Sequence, residues 1–175
     1  MRTSVFSGVS LDGFIARENG DLDWLMSGDE SKQDYGYDDF IATVDALVIG
    51  RKTYETVLGF GGWFYGEKQV FVLSNSELSA LPEGGNVERL FGEPPSIIKE
   101  LESRGFQHLY IDGGITVQGF LRAGLIDRIT ISRLPVLIGR GISLFGEVDS
   151  DIRLELESVR EFPGGMIQSV YAIKK

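Results

Sequence analysis

The sequence contains no cysteine. Disulfides, thiol nucleophiles and thiolate metal sites are excluded together. Histidine is almost as scarce. His108 stands alone, so a paired-histidine zinc site is excluded, and no metal is expected. Its place directly before Leu109-Tyr110-Ile111 reads as the entry to a strand. Proton chemistry then falls to Asp, Glu, Tyr or water. Long apolar runs are missing too. The longest, such as residues 46–49 and 70–73, are strand-sized and far short of a membrane span. No basic-then-apolar leader precedes Val5-Phe6, so a cytoplasmic chain is expected. Low-complexity segments and repeats are also absent. Positive charge is in deficit: 17 Lys and Arg face 26 Asp and Glu, a net charge of −9. The cations are scattered. Neither nucleic acid nor a membrane is expected as a partner. An anionic ligand would have to rest on a few well-placed cations and on backbone amides.

What is present suits an ordinary globular chain. The 175 residues are 42% hydrophobic and 25% charged. Residues 3–9 read as a first strand, and Ser10-Leu11-Asp12-Gly13 as a turn. Asn19-Gly20 marks a loop, and Trp24-Leu25-Met26 an apolar anchor. Residues 29–43 have a helical pattern, with Tyr37, Phe40, Ile41 and Val44 on one stripe. Short buried strands follow at 46–49 and 69–73, with a helix over 53–58 between them. Further segments read as a strand at 86–90, a helix at 96–104, a strand at 109–111 and a helix at 115–123. A strand at 129–134 comes next. Residues 154–161 and 166–173 read as a closing hairpin through Pro163-Gly164-Gly165. Alternating strands and helices imply an α/β, three-layer chain. Its sheet is mixed and mostly parallel, with helices on both faces and a C-terminal antiparallel hairpin. No linker breaks it, so residues 1–175 are expected to form one domain.

Two strand-to-helix junctions carry chemical potential. In Val48-Ile49-Gly50-Arg51-Lys52-Thr53 a buried strand delivers a glycine to a helix start. Free amides, the positive helix end and two cations suit a phosphate there. In Ile111-Asp112-Gly113-Gly114-Ile115-Thr116 two glycines again open the backbone to a ligand, and Thr116 adds a hydroxyl. Each could equally be a tight turn. Neither is a P-loop, since the position five before Gly50 is Asp45. Neither is a dinucleotide fingerprint after a first strand. Two in one sheet still favour an extended, phosphate-bearing ligand across the strand ends. Asp29, Glu30, Asp34, Asp38 and Asp39 crowd one helix, mostly as a solvated face. Asp34 or Asp38 at a pocket wall would have the raised pKa of a usable acid. Residues 59–66, with four glycines and Trp63, Phe64 and Tyr65, read either as packing over the sheet edge or as a substrate wall.

Several segments resemble the dihydrofolate-reductase-like superfamily in the same order. They are Ser10-Leu11-Asp12-Gly13-Phe14-Ile15-Ala16, Asp23-Trp24, Ile49-Gly50-Arg51-Lys52-Thr53-Tyr54-Glu55, Val72-Leu73-Ser74 and Ile111-Asp112-Gly113-Gly114. Gly124-Leu125-Ile126-Asp127 and the run Leu134-Pro135-Val136-Leu137-Ile138-Gly139-Arg140-Gly141-Ile142-Ser143-Leu144-Phe145 resemble its riboflavin-pathway reductase branch, the RibD C-terminal domain.

The resemblance implies an NADPH-dependent reductase. Gly50, Arg51, Lys52 and Thr53 would hold the adenosine phosphates, and Arg51 or Lys52 would meet the 2′-phosphate. Leu73, Ser74 and Asn75 would flank the adenine. Gly113 and Gly114, where the family has a cis peptide, would form the second phosphate turn with Ile115, Thr116 and Val117. Gly8 and Ile15 would wall the nicotinamide. Asp34 falls at the place of the folate reductases' acid, although a one-turn shift of the helix leaves Asp38 open. Ser132 is a candidate substrate contact. A homodimer is implied, with residues 134–145 near the interface. The riboflavin-pathway substrate, a ribosylaminopyrimidine phosphate, is the best single match. Two departures weigh against dihydrofolate: Glu67 stands where folate reductases clamp the tail carboxylate with arginine, and Asp112 replaces the first of three glycines. The rival readings are a dihydrofolate or pteridine reductase, a non-catalytic NADPH-binding module, and an interaction protein whose glycine junctions are only turns.

Overall fold

A computed structural model describes residues 1–25, 34–78 and 80–174. The chain opens with strand β1 (Arg2–Ser10) and a short β2 (Phe14–Ala16), then helix α1 (Tyr37–Ala42). Next come β3 (Ala46–Gly50), α2 (Arg51–Leu58), β4 (Gln69–Leu73), β5 (Asn86–Leu90) and α3 (Pro94–Ser103). The remainder is β6 (His108–Asp112), α4 (Gly114–Arg122), β7 (Arg128–Leu134), β8 (Ile142–Ser143), β9 (Leu154–Phe162) and β10 (Met166–Ile173).

Eight strands form one sheet in the order β5-β4-β3-β6-β1-β7-β10-β9. Six of them run parallel, from β5 to β7, and β10 and β9 close the sheet antiparallel. Alternation along the central strands makes two cores. Val48, Phe71, Leu109 and Ile111 face α3 and α4, whose Ile97, Leu101, Val117 and Phe120 complete one cluster. Leu47, Ile49, Val70, Val72 and Tyr110 face α1 and α2 on the other side. Side chains with a period of two on strands buried on both faces give this layering directly. The expected mixed α/β sheet with helices on both faces is what the chain adopts.

Differences from the sequence reading are local. The expected helix over 29–43 begins only at Tyr37; its 29–33 portion, like Met26 of the apolar anchor, lies outside the described residues. Tyr35 (φ 50°) and Gly36 (φ 80°) are both left-handed, which a continuing helix does not allow. Asp34 caps the start instead: its carboxylate accepts from the Asp38 amide at 2.7 Å and its carbonyl from the Tyr37 amide. The pair β2–β8 was not expected, because two or three residues carry no periodic signal.

His108 begins β6, as its position suggested. It is buried, with Nε2 2.8 Å from Ser4 Oγ and Nδ1 2.8 Å from the Thr43 carbonyl. Burial lowers its pKa. It pins β1, β6 and the α1–β3 turn together rather than serving a site.

Candidate active site

The two glycine junctions, far apart in the chain, lie side by side. β3 pairs with β6 in parallel, with Ile49 opposite Asp112, so α2 and α4 start next to each other at the strand C-termini. They interlock. A Cβ on Gly113 would lie 2.4 Å from Thr53 Oγ1, and one on Gly50 would lie 2.8 Å from Thr116 Oγ1. Gly113 also takes φ 92°, which side chains disfavour. All peptide bonds among the described residues are trans, so the cis bond expected at Gly113-Gly114 is not present. Neither helix start is capped by a side chain. Two adjacent, uncapped helix N-termini present amide donors and positive ends to one region, the arrangement that accepts a diphosphate. This fits the phosphates of a dinucleotide on the residues present.

Arg51 reaches from α2 to the segment after β4. Its guanidinium lies 3.4 Å from Ser74 Oγ, contacts Ser76 Oγ, and forms an ion pair with Glu55 at 2.7 Å. Ser74 is buried, its amide donating to Leu90 O and its hydroxyl to Ser76 O. Leu73 packs on the core, while Asn75 and Lys52 are exposed. Ile115 is 72% exposed beside the second turn. Thr116 is buried against Gly50, and Val117 points into the core while its amide donates to Gly113 O.

The flap formed by β2 and β8 covers α4's start. Ile15 Cδ1 and Ser143 O lie 3.3 and 2.9 Å from where a Gly114 Cβ would stand. Gln118 Nε2 donates to Ser143 O at 3.0 Å. The Asp12 carboxylate accepts from the amides of Gly139 and Ile138 and from Ser10 Oγ, which holds its pKa below the usual carboxylate range. Gly8 faces Leu25, whose Cδ1 would lie 2.9 Å from an added Cβ.

Asp112 is the group the sequence reading did not single out as chemical. It ends β6 on the face of Tyr110, partly buried, with Tyr37 and Tyr65 close enough for its charge to raise their pKa values. Desolvation pushes its own pKa from 3.8 up to about 6, although the Gly113 amide pulls the other way. The signal was available: a carboxylate at the last position of a strand that is otherwise fully buried, directly before two glycines. Asp34, by contrast, is exposed. Ser132 is buried and accepts from Gln168 Nε2, which also donates to the Tyr35 carbonyl.

Tyr37 and Tyr65 also form the wall of a cleft of roughly 600 Å3, with Ile41, Phe64 and Glu67. Phe6 stacks on Phe40 at 5.0 Å behind Tyr37. In the Gly-rich 59–66 segment Trp63 packs on Tyr54, while Phe64 and Tyr65 line the cleft. Among the described residues no cluster of His, Asp and Glu could hold a metal, and no helix is long and apolar enough to cross a membrane.

Comparison with known proteins agrees with this geometry. The sequence pattern of the RibD C-terminal domain matches residues 66–168. The protein named YwjB of Bacillus subtilis is 34% identical over 172 residues, covering 97% of each chain. A crystal structure from Shewanella sp. PV-4, of a protein provisionally named for riboflavin biosynthesis, superposes with a TM-score of 0.91. It is 39% identical, with 100% of both chains covered. Dihydrofolate reductase from Enterococcus faecalis, in complex with NADP(H), shares the fold at 15% identity and a TM-score of 0.67, covering 99% of this chain and 97% of its own. The mixed, mostly parallel sheet with helices on both faces is the dihydrofolate-reductase-like fold, and the chain belongs to the RibD C-terminal domain family.

Proposed function

We propose that the chain is an NADPH-dependent reductase of a small heterocycle, built as one reductase domain over residues 1–175. The observation that carries this is the pair of adjacent, uncapped helix starts at Gly50 and Gly113, with Arg51 beside the first and Asp112 beside the second. Bound NADPH would supply a hydride to the carbon of a polarised C=N or C=O bond and leave as NADP+. The partner nitrogen or oxygen then needs one proton. Asp112 meets that need better than Asp34: its pKa of about 6 keeps an appreciable protonated fraction near neutrality, and it stands beside the second turn. Asp34 is exposed, with one oxygen committed to the Asp38 amide. Water recharges Asp112 after each turnover. Tyr37 and Tyr65, kept protonated by burial and by the Asp112 charge, can donate hydrogen bonds to the ring. Ile15 on the flap would exclude water from the nicotinamide.

Isothermal titration with NADPH and, separately, NADH tests the reading. Micromolar NADPH binding with clearly weaker NADH binding is expected. Heat from neither would sink the reductase and the binding-module readings together, leaving only the fold. Binding without turnover of any heterocycle would favour the module.

A homodimer is part of the same proposal. Leu154, Leu156, Val159 and Ile167 are exposed and, by strand register, share one face of β9–β10. Leu137 and Phe145 of the 134–145 segment are exposed as well. Apolar area of this extent is usually covered, and a second copy is the partner the family resemblance supplies. Light scattering at micromolar concentration should return about twice the chain mass; a monomer would refute the dimer.

A further inference from the structure

The charge of the cleft separates this chain from the phosphorylated substrate of its pathway relatives. Resting on the reductase reading above, we infer that the cleft takes its heterocycle as an uncharged riboside, or another uncharged or cationic form, and selects against a terminal phosphate or carboxylate.

The cleft lies on the α1 side of the sheet. Its far end is built at the N-terminal ends of the strands: Asp45 just before β3, Lys68 just before β4, and Asn86 opening β5. The phosphate turns stand at the opposite, C-terminal ends. Five strand residues at about 3.3 Å each separate the two by roughly 16 Å. Asp112 itself does not line the cleft, but Tyr37 and Tyr65 lie close enough to feel its charge and do line it, so a ring held near Asp112 would project its substituent past them toward the far end.

That end carries the wrong sign for an anion. Among the described residues Asp38, Asp45 and Glu67 line it against a single cation, Lys68. The Lys68 ammonium donates to the Val44 carbonyl at 2.6 Å, which turns it toward the backbone. Asp45 is held charged, because one of its oxygens accepts from the amides of Gln107 and His108 at 2.7 and 2.8 Å. No arginine lines the cleft among the described residues, which therefore offer no planar two-point clamp of the kind that phosphates and carboxylates favour. The walls are aromatic and apolar, which suits a neutral ring and sugar. A second hollow of about 550 Å3 beside the flap does hold Arg17 and Arg140, but Arg17 is paired with Asp23 and Glu18 lines the same hollow.

The test titrates 5-amino-6-ribosylaminouracil and its 5′-phosphate into the protein, both free and saturated with NADP+. The riboside should bind at least about tenfold more tightly than the ribotide, with the gap narrowing as salt is raised. Glu67→Lys should tighten ribotide binding by about tenfold and change riboside binding much less. Glu67 is exposed, so the variant should fold. Equal or tighter ribotide binding in the wild type overturns the inference; loss of that binding in Arg140→Ala would locate the phosphate beside the flap instead. Riboside that fails to bind at millimolar concentration, or a Glu67→Lys effect equal on both ligands, also overturns it. These outcomes are read whether or not NADP+ binds. Missing heat from NADP+ itself would count separately, against the reductase reading beneath.

Discussion

Asp112→Asn should leave the protein more stable than wild type at pH 8 by up to roughly 3 kcal/mol, and no more stable at pH 4. The folded carboxyl titrates near 6, raised from 3.8 by burial. Between those values the native state binds more protons than the unfolded chain. Wild-type stability from this group is therefore full below about pH 4 and falls as pH rises through 6. Asparagine cannot ionise, so the variant escapes that loss. The difference between the two proteins should be near zero in acid, grow from pH 4 to 6, and level off above. Urea denaturation at five or six pH values measures it. The same substitution should reduce turnover on order of a hundredfold, because the proton must then come from solvent. A gain in stability joined to a loss of activity marks a group held at a cost for its chemistry. If the variant is less stable at every pH, the bond from the Gly113 amide outweighs desolvation and the assignment of Asp112 fails. Stability gained with turnover intact would make it a strained structural residue, with the proton supplied elsewhere.

Arg51→Ala should weaken NADPH binding by about 10- to 100-fold and NADH binding far less, so that the preference between them nearly disappears. Arg51 projects from the first turn toward Ser74 and Ser76, and its fork is the cation best placed for a 2′-phosphate. Glu55 already neutralises part of that charge. A 2′-phosphate would compete for the guanidinium, so affinity should fall as salt rises. The side chain also ties α2 to the segment after β4, and some thermal stability should be lost with it. Comparison of the two nucleotides separates the roles. Equal losses for NADPH and NADH would mean that Arg51 only shapes the turn. Arg51→Lys keeps the charge without the fork and should recover part of the preference.

Much of this protein is legible in its sequence. Strand and helix order came from apolar runs and caps, and most elements fall within two residues of where the pattern put them. The exceptions have local causes. Helix α1 starts late because Tyr35 and Gly36 turn left-handed, which a pattern of Tyr37, Phe40 and Ile41 does not reveal. Helix α2, expected over 53–58, starts two residues earlier at Arg51, directly after Gly50. Both glycine junctions could be named from sequence, but as separate features of uncertain use.

The sequence alone determined what chemistry was closed to this chain, and the layered, mostly parallel sheet. Those depend on residue type and on spacing along the chain, which folding does not change. The tertiary structure decided the rest. It set β3 beside β6 and so made two isolated turns into one cradle. It enclosed the Asp112 carboxyl while leaving Asp34 in water, and it gathered Asp38, Asp45 and Glu67 around one cleft. Proximity between distant segments and the loss of water around a charge are properties of strand order and packing, and neither is written at any one position of the chain.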